Sequence, residues 1–220
     1  MTFAKIEPLE LQKILSVHLP MYRRKVPHYQ AVMLNNLRTV WQGRPQRLLD
    51  IGGGTGVIAE AMARLLPVGQ VEAIDVVDRF CPGLGVQTAR YDGRSIPVED
   101  GAFDAATLNN VLHHVPQAER VGLLREIRRA VNGPLYIKDH LSTGVIDDLR
   151  LTVLDALGNI PFGGMVQARY LSAREWQDLA DQSGWTIGAV ANTHAYRHGL
   201  HAALFPNRLE TTMRFDPVAA

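Results

Sequence analysis

Features that mark secreted, membrane and disulfide-bonded proteins are scarce in this sequence. The 220 residues include a single cysteine, Cys81, which excludes an intramolecular disulfide and any metal cluster built from cysteines. No apolar run approaches the ~20 residues of a membrane-spanning helix, and the first residues lack the charged-then-apolar pattern of a signal peptide. We therefore expect a cytoplasmic protein without membrane insertion, present as a monomer or a homodimer.

An excess of charge of one sign is also lacking. Lys and Arg number 23 and Asp and Glu 22, which gives a formal net charge of +1. Proteins that bind nucleic-acid phosphates usually carry a basic excess on at least one face. The basic run Arg125, Arg128 and Arg129 includes Glu126 and has the spacing of a solvated helix face. We therefore do not expect a nucleic acid as partner; the small-molecule partner expected for this chain follows from the insertion described below.

The apolar spacing changes near residue 45. Residues 1–44 show helical spacing, and Pro20 and Pro27 divide them into two helices. From residue 46 onward, short apolar runs alternate with helical stretches, which predicts βαβ units and a parallel sheet. The predicted helices of this part are 55–66, 117–130, 146–157 and one that begins at the capping-box sequence Ser172–Glu175 and stops at Gly184. The predicted strands are 47–51, 70–75, 86–91, 103–108, 134–138 and a closing antiparallel pair, 185–196 and 200–205.

The sharpest local pattern is a glycine turn between the first of these strands and its helix. Its spacing is acidic-x-G-x-G-x-G, formed by Asp50, Gly52, Gly54 and Gly56. Glycines allow positive φ and close approach of a ligand to the backbone, and the helix start presents unpaired N–H groups. A nicotinamide fingerprint would need a small residue where Val57 stands. The acid at the strand end suits a ligand with positive charge and amine donors.

The stretch 48–56 resembles the first motif of class I methyltransferases, which bind S-adenosyl-L-methionine and release S-adenosyl-L-homocysteine. A second stretch, 101–115, resembles the "SFD…VLHH" segment of the group that includes the ubiquinone and menaquinone C-methyltransferases. The resemblance covers residues 45–140 well and 170–205 loosely. It implies an α/β fold with a Rossmann-like seven-stranded, mostly parallel sheet whose last strand is antiparallel, with helices on both faces and an N-terminal helical lid.

The family fold divides the single domain, 1–220, into four parts. Residues 1–44 are expected to form the N-terminal helical lid, and residues 45–140 the half that binds the cofactor. Residues 141–171 are expected to form an insertion that covers the substrate, and residues 172–220 the C-terminal helix and the closing strands.

The resemblance also assigns cofactor contacts. Asp75, at the end of the second strand, would accept hydrogen bonds from both ribose hydroxyls, and Val76 would line the adenine pocket. Asp92 would bind the adenine amino group, and Asn109 the methionine part. The full set implied for the cofactor is Asp50, Gly52, Gly53, Gly54, Thr55, Gly56, Asp75, Val76, Asp92, Gly93, Asn109 and Tyr22.

One departure from the family pattern lies between the second and third strands. Only a short connection separates Asp75 from Asp92, and it contains Pro82, Gly83 and Gly85. That length leaves no room for a full crossover helix, so we expect at most a short turn near residues 78–81. The adenine side of the pocket is then expected to be more open than usual, or covered by another element.

Methyl transfer from a sulfonium is an in-line displacement, so alignment alone can supply on the order of 7–11 kcal/mol. A base is needed when the acceptor is a hydroxyl, a phenol or a carbon acid. His140, with Asp139 beside it, follows the fifth strand, where open α/β sheets place substrate, and imidazole titrates near neutrality. An alternative role for His140 is a hydrogen bond to a loop backbone, and the pair His113 and His114 fits the architecture of the family.

Substrate contacts are expected mainly from the insertion. Its aromatic and thioether side chains suggest a small or medium acceptor with an apolar body. The residues expected to bind substrate are His113, Asn159, Phe162, Met165 and Arg169.

No metal is expected. His194, His198 and His201 would converge only on a helix, whereas Gly199 and its neighbours favour strands.

The predicted activity is methyl transfer to O, N or C of a small organic metabolite. One alternative is a methyltransferase that modifies RNA or protein, although Asn109 is followed by Asn110-Val111-Leu112 and not by the Pro-Pro-Tyr/Phe of adenine-N6 and glutamine-N5 enzymes. A second alternative is a non-catalytic member that binds the cofactor to regulate a partner. A nicotinamide oxidoreductase is a third and is disfavoured by the glycine spacing.

Overall fold

A computed structural model of the chain describes residues 4–159, 168–192 and 194–218, with backbone only at 158 and 159. The helices are α1 (Pro8–His18), α2 (His28–Val40), α3 (Val57–Leu65), α4 (Gln117–Ala130), α5 (Val145–Asn159), α6 (Ala173–Gln182) and α7 (Gly199–Leu204). The strands are β1 (Arg47–Ile51), β2 (Gln70–Asp75), β3 (Gln87–Arg90), β4 (Ala105–Asn109), β5 (Leu135–His140), β6 (Trp185–Ala191) and β7 (Glu210–Pro217). Short 3-10 turns lie at Pro20–Arg23, Leu112–His114 and Asn207–Leu209.

All seven strands form one sheet in the order β3-β2-β1-β4-β5-β7-β6. Strands β1 to β5 pair in parallel, and β7 runs antiparallel between β5 and β6. The predicted fold class, a seven-stranded mostly parallel sheet with its last strand antiparallel, is therefore confirmed. The carboxyl ends of β1, β2 and β4 meet at one edge, where open α/β sheets bind ligands.

Alternating side chains of the central strands belong to two apolar layers on opposite faces of the sheet. Leu48 of β1 and Tyr136 of β5 pack into the layer beneath α1, α2 and α3. Leu49 of β1 and Ile137 of β5 pack into the layer beneath α4 and α6. This two-residue alternation is what a strand covered on both faces requires. The N-terminal segment predicted as a lid thus also forms core, because Leu11 and Leu34 are fully buried.

The predicted helix starts and stops have local causes. The Ser172 hydroxyl accepts from the Glu175 backbone N–H, and Glu175 accepts from the Ser172 backbone N–H, which completes the capping box predicted for α6. Gly184, with a φ of 79°, follows α6 in the left-handed conformation that often ends helices. The bend predicted between the two N-terminal helices contains the 3-10 turn at Pro20–Arg23.

The connection between β2 and β3 contains no helix, as its length predicted. It folds back over the start of α3, where the Cys81 backbone N–H donates to the Thr55 carbonyl at 2.9 Å. Phe80 and Leu84 of this connection pack against the first apolar layer. The segment therefore covers the glycine turn from outside.

The prediction for the end of the chain is wrong in part. Residues 200–205 were predicted as a strand but contain α7, and β6 ends at Ala191 instead of reaching residue 196. The antiparallel partner of β6 is Glu210–Pro217, which contains Thr211, Thr212 and Phe215, residue types that favour strands. Leu200-His-Ala-Ala-Leu204 is rich in good helix formers, so its own propensity favours the helix. Within the described residues no helix has both the length and the apolar content needed to cross a membrane.

Candidate active site

A cavity of about 460 Å³ opens at the carboxyl ends of β1, β2 and β4. The short turn after each strand and the N-terminal helices form its walls. Of the residues predicted to contact a cofactor, eleven line this cavity: Tyr22, Asp50, Gly52, Gly53, Gly54, Thr55, Asp75, Val76, Asp92, Gly93 and Asn109. Residues far apart in sequence therefore converge on one site.

Asp50 lies at the floor of the cavity and is only 2% exposed as a residue. Its Oδ1 atom accepts from the Thr107 hydroxyl at 2.6 Å and from the Asn109 amide at 3.2 Å. Burial raises the pKa of Asp50 to about 6, although these two hydrogen bonds oppose the rise. No basic side chain pairs with this carboxylate among the described residues, so a cation in the cavity would be favoured.

Asp75 projects from the end of the neighbouring strand. Its two carboxylate oxygens accept from the backbone N–H groups of Gly54 at 2.8 Å and Val77 at 2.9 Å. The Arg79 guanidinium lies 3.8 Å away. These contacts fix the orientation of the carboxylate beside the glycine turn and leave it on the cavity wall.

The glycines of the turn serve different needs. Gly54 has a φ of 58°, and a Cβ atom placed on it would meet no protein atom within 4 Å, so its space belongs to the cavity. Gly56 has a φ of 78° and does not line the cavity; a Cβ atom there would collide with Leu84. Gly56 is thus required by packing against the connection after β2, and the expected ligand contact is not observed for it.

The turn after β3 borders the cavity at its outer side. Asp92 is exposed, and its Oδ1 atom accepts from the backbone N–H groups of Ser95 at 2.7 Å and Arg94 at 2.8 Å, which lowers its pKa. Gly93 has a φ of 82°, and its Cα hydrogen faces Val76, since an added Cβ atom would lie 3.1 Å from that side chain. This region is the one predicted to receive adenine.

The opposite wall contains polar residues that the sequence analysis did not single out. Tyr29 of α2 and Asn110, directly after β4, both line the cavity. The buried Lys138 ammonium donates to the Tyr29 hydroxyl oxygen and to Asn110 Oδ1, each at 2.6 Å. Burial raises the pKa of Tyr29, so the phenol stays protonated. One signal was present in the sequence: Tyr29 lies one helical turn before Met33, which also lines the cavity.

His140 and Asp139, predicted as catalytic, do not line the cavity. Both residues belong to β5, which pairs with β7 in the sheet, and His140 lies opposite Glu210 in that pair. Asp139 is fully buried and accepts from the His113 ring at 2.5 Å and from the His140 backbone N–H at 2.7 Å. It therefore orients His113 and not the imidazole of His140. A direct catalytic role for the two residues stays a prediction that their position does not support.

His113, predicted to bind substrate, lies behind the cavity wall with its ring between Asp139 and Asp155. Although burial alone lowers the pKa of His113, the two carboxylates outweigh it and raise that pKa to about 9. Its neighbour His114 is half-buried and lines the cavity. His113 thus belongs to the core, and His114 belongs to the cavity wall.

Among the remaining residues predicted to bind substrate, Arg169 is described and does not line this cavity. Arg169 lines a second cavity of about 430 Å³ and pairs with Glu175 at 2.7 Å. Asn159 is the last residue of α5, and its side chain lies outside the described set. Phe162 and Met165 also lie outside the described residues.

Comparison with known proteins identifies a family whose model matches most of this chain. The family described as a methyltransferase domain matches residues 22–190. Demethylspheroidene O-methyltransferase of Rhodobacter capsulatus is 29% identical over 165 residues, 71% of this chain and 40% of that protein. A release factor glutamine methyltransferase of Gloeobacter violaceus is 30% identical over 139 residues, 58% of this chain and 46% of that protein.

Two further matches bear on the sequence resemblance and on the fold. A ubiquinone/menaquinone biosynthesis C-methyltransferase of Methylobacterium nodulans is 37% identical over 104 residues, 42% of this chain and 40% of that protein. The solved structure of 1,6-didemethyltoxoflavin-N1-methyltransferase of Burkholderia thailandensis, with bound 1,6-didemethyltoxoflavin and S-adenosylhomocysteine, gives a TM-score of 0.61 at 18% identity. That alignment covers 100% of this chain and 94% of the other. The chain spans less than half the length of the three curated relatives.

Proposed function

The chain belongs to the methyltransferase-domain family, as a class I S-adenosylmethionine-dependent methyltransferase, and we propose that it methylates an oxygen, nitrogen or carbon of a small organic acceptor. The observation that carries the proposal is the convergence of Asp50, Gly54 and Asp75 on one cavity beside an aromatic and polar wall. When bound, the cofactor supplies a methyl group already activated on a sulfonium.

The residues of the cavity fit that cofactor in charge and in shape. The buried Asp50 carboxylate suits the ammonium of the methionine part, because the pairing would offset its desolvation. Asn109 Oδ1 is buried without a hydrogen-bond partner and can accept from the same part of the ligand. Asp75 can accept from ribose hydroxyls, and the space at Gly54 admits the ligand against the backbone.

The acceptor is proposed to lie beside the wall formed by Tyr29, Asn110 and His114. Lys138 donates to the Tyr29 oxygen at 2.6 Å, and the Tyr29 hydroxyl donates to Asn110 Oδ1 at 3.3 Å, from which it would turn to hold a heteroatom of the acceptor. The proton that an O–H or N–H acceptor loses would pass to His114, because His114 faces the cavity and His140 does not. Leu19, Tyr22 and Met33 supply an apolar surface for the body of the acceptor.

The best test of this proposal is calorimetric binding of S-adenosylhomocysteine, the product that cannot react. The wild-type chain should bind it, and Asp75→Asn should weaken binding roughly 10- to 150-fold, since hydrogen bonds to a charged group contribute about 1.5–3 kcal/mol. Asp78→Asn makes the same change at an exposed position and should bind as wild type. Absence of binding heat with folded wild-type protein would refute the proposal.

Two alternative functions are also compatible with the observations. A protein substrate is favoured by the similarity to a release factor glutamine methyltransferase, although the residues after Asn109 differ from the Pro-Pro motif expected for glutamine-N5 enzymes. A non-catalytic member that binds the cofactor to regulate a partner would share the whole cofactor site. Transfer of a radiolabelled methyl group to metabolite, protein and RNA fractions separates these candidates.

A further inference from the structure

A second group of chemically reactive side chains lies behind the wall of the cavity. His113 comes from the 3-10 turn after β4, His140 from the end of β5 and Asp155 from α5. One ligand atom of each lies within 4.8 Å of the other two. The three residues are at most 8% exposed. Three separate elements thus bring two imidazoles and a carboxylate to one buried point.

The Nδ1 atom of each imidazole in this group lies beside a carboxylate that is not itself one of the three ligands. His113 Nδ1 lies 2.5 Å from Asp139, and its Nε2 atom lies 3.4 Å from Asp155. His140 Nδ1 lies 3.3 Å from Glu210, which leaves Nε2 as the nitrogen that can face the group. A carboxylate behind each ring is the arrangement that orients metal-binding histidines and raises their basicity.

His113 Nε2 is buried, and its ion pair with Asp155 at 3.4 Å falls short of hydrogen-bond geometry, although buried polar atoms almost always form a hydrogen bond. The nearby cations are already compensated, because Lys138 pairs with Glu210 at 2.5 Å and Arg197 pairs with the same carboxylate. The point between the imidazoles therefore does not carry excess positive charge that would repel an ion.

The helix α5 carries Asp155 on its buried face. Its buried residues Asp147, Leu151 and Asp155 recur every four positions and form its inward face. Arg208 pairs with the Asp147 carboxylate at 2.5 Å, and Asp155 lies beside the imidazoles of His113 and His114. A carboxylate held beside two imidazoles can serve as a third metal ligand.

We propose that His113, His140 and Asp155 bind one divalent transition-metal ion of the zinc class. Two imidazole nitrogens and one carboxylate oxygen are a ligand set that Zn²⁺ accepts, at about 2.0–2.2 Å per bond, with water or a fourth side chain completing the tetrahedron. His114 is the side chain nearest to that role, since its Nε2 atom lies 3.6 Å from Asp155. The ion fastens α5 to the sheet, and this role does not depend on the proposed methyl transfer.

No metal was expected from the sequence, in which only His194, His198 and His201 were considered as ligands. His198 precedes α7 and His201 lies on it, while His194 contacts Asn36 at 3.0 Å. These three histidines are not among the metal-ligand groups of the described residues. The proposed site lies elsewhere in the chain, where distant residues meet.

The test uses the full chain without a histidine tag, stripped with a chelator and titrated with Co²⁺. Wild-type protein should take up one equivalent, with the visible absorption of a nitrogen- and oxygen-bound ion that Zn²⁺ then displaces. Asp155→Asn and His140→Gln should lose this binding, and Asp139→Asn should weaken it roughly 10- to 100-fold. Asp148→Asn, on the exposed side of the same helix, should bind as wild type.

Thermal unfolding with and without Zn²⁺ provides the second readout. Zn²⁺ should raise the Tm of the wild-type and Asp148→Asn proteins and leave Asp155→Asn unchanged. S-adenosylhomocysteine binding and circular dichroism show which variants fold; if Asp155→Asn does not, His140→Gln decides. The proposal is overturned if wild-type protein takes up no Co²⁺ at equimolar micromolar concentrations, or if the two ligand variants bind it as well as wild type.

Discussion

Asp50 makes the clearest link between the energetics of the fold and the proposed chemistry. Its carboxylate is buried at the cavity floor, and burial raises its folded-state pKa from 3.8 to about 6. A carboxyl group whose pKa is higher in the folded than in the unfolded state holds its proton more tightly when folded. Its ionisation therefore destabilises the protein: the penalty is complete above pH about 6 and disappears below the unfolded value.

The size of that penalty follows from the shift. Each unit of pKa corresponds to 1.36 kcal/mol, so a shift of about two units costs about 3 kcal/mol at neutral pH. Asn has the same shape and an oxygen that can still accept from Thr107. We therefore predict that Asp50→Asn raises the unfolding free energy of the ligand-free protein at pH 7.5 by up to about 3 kcal/mol, and changes it little below pH 4.

Cofactor binding should respond in the opposite direction. If the ionised carboxylate pairs with the ammonium of the cofactor, wild-type affinity should fall about tenfold between pH 7 and pH 5, because the proton must leave before binding. Asp50→Asn should bind weakly and lose this dependence. Urea melts and calorimetry at both pH values measure the two effects, with Asp78→Asn as the matched control. A variant less stable than wild type at pH 7.5, with unchanged affinity, would refute the reasoning.

Two further predictions concern the cavity wall and the glycine turn. Tyr29→Phe should lower kcat by roughly 10- to 100-fold, because a hydrogen bond from a charge-assisted hydroxyl is lost. The same variant should keep its affinity for S-adenosylhomocysteine within about twofold. Equal kcat in a methyl-transfer assay would contradict the role given to Tyr29. Gly54→Ala and Gly56→Ala should each cost about 1–2 kcal/mol of stability, because both positions have positive φ. Gly56→Ala should cost more because of the contact with Leu84, whereas Gly54→Ala should weaken cofactor binding more; the reverse order in melts and calorimetry would be contrary evidence.

Strands β1, β2 and β4 were predictable because each is a largely apolar stretch that ends at a chemically distinct residue. Asp50, Asp75 and Asn109 stand at the carboxyl ends of β1, β2 and β4, and parallel pairing brings these ends together. Their convergence on one cavity therefore follows from strand order. The capping box at Ser172 and Glu175 was equally visible, since its signal lies within four residues.

The polar network around Lys138 was not predictable in the same way. It depends on β7, which brings Glu210 opposite His140 across an antiparallel pair. The fifth strand was predicted to end at residue 138, so His140 was expected just beyond it, where open α/β sheets place substrate. β5 instead extends through His140. The buried position of His140 and the exposure of Tyr29 and Asn110 to the cavity are consequences of long-range pairing that local spacing does not encode.

The most direct test of the central claim is a crystal structure of the chain with S-adenosylhomocysteine. We predict ligand density across the turn at Gly54, with the ribose hydroxyls on the Asp75 carboxylate and the amino group of the homocysteine part within hydrogen-bond distance of Asp50 or Asn109. Density at another place, or an empty cavity at saturating ligand, would contradict the account.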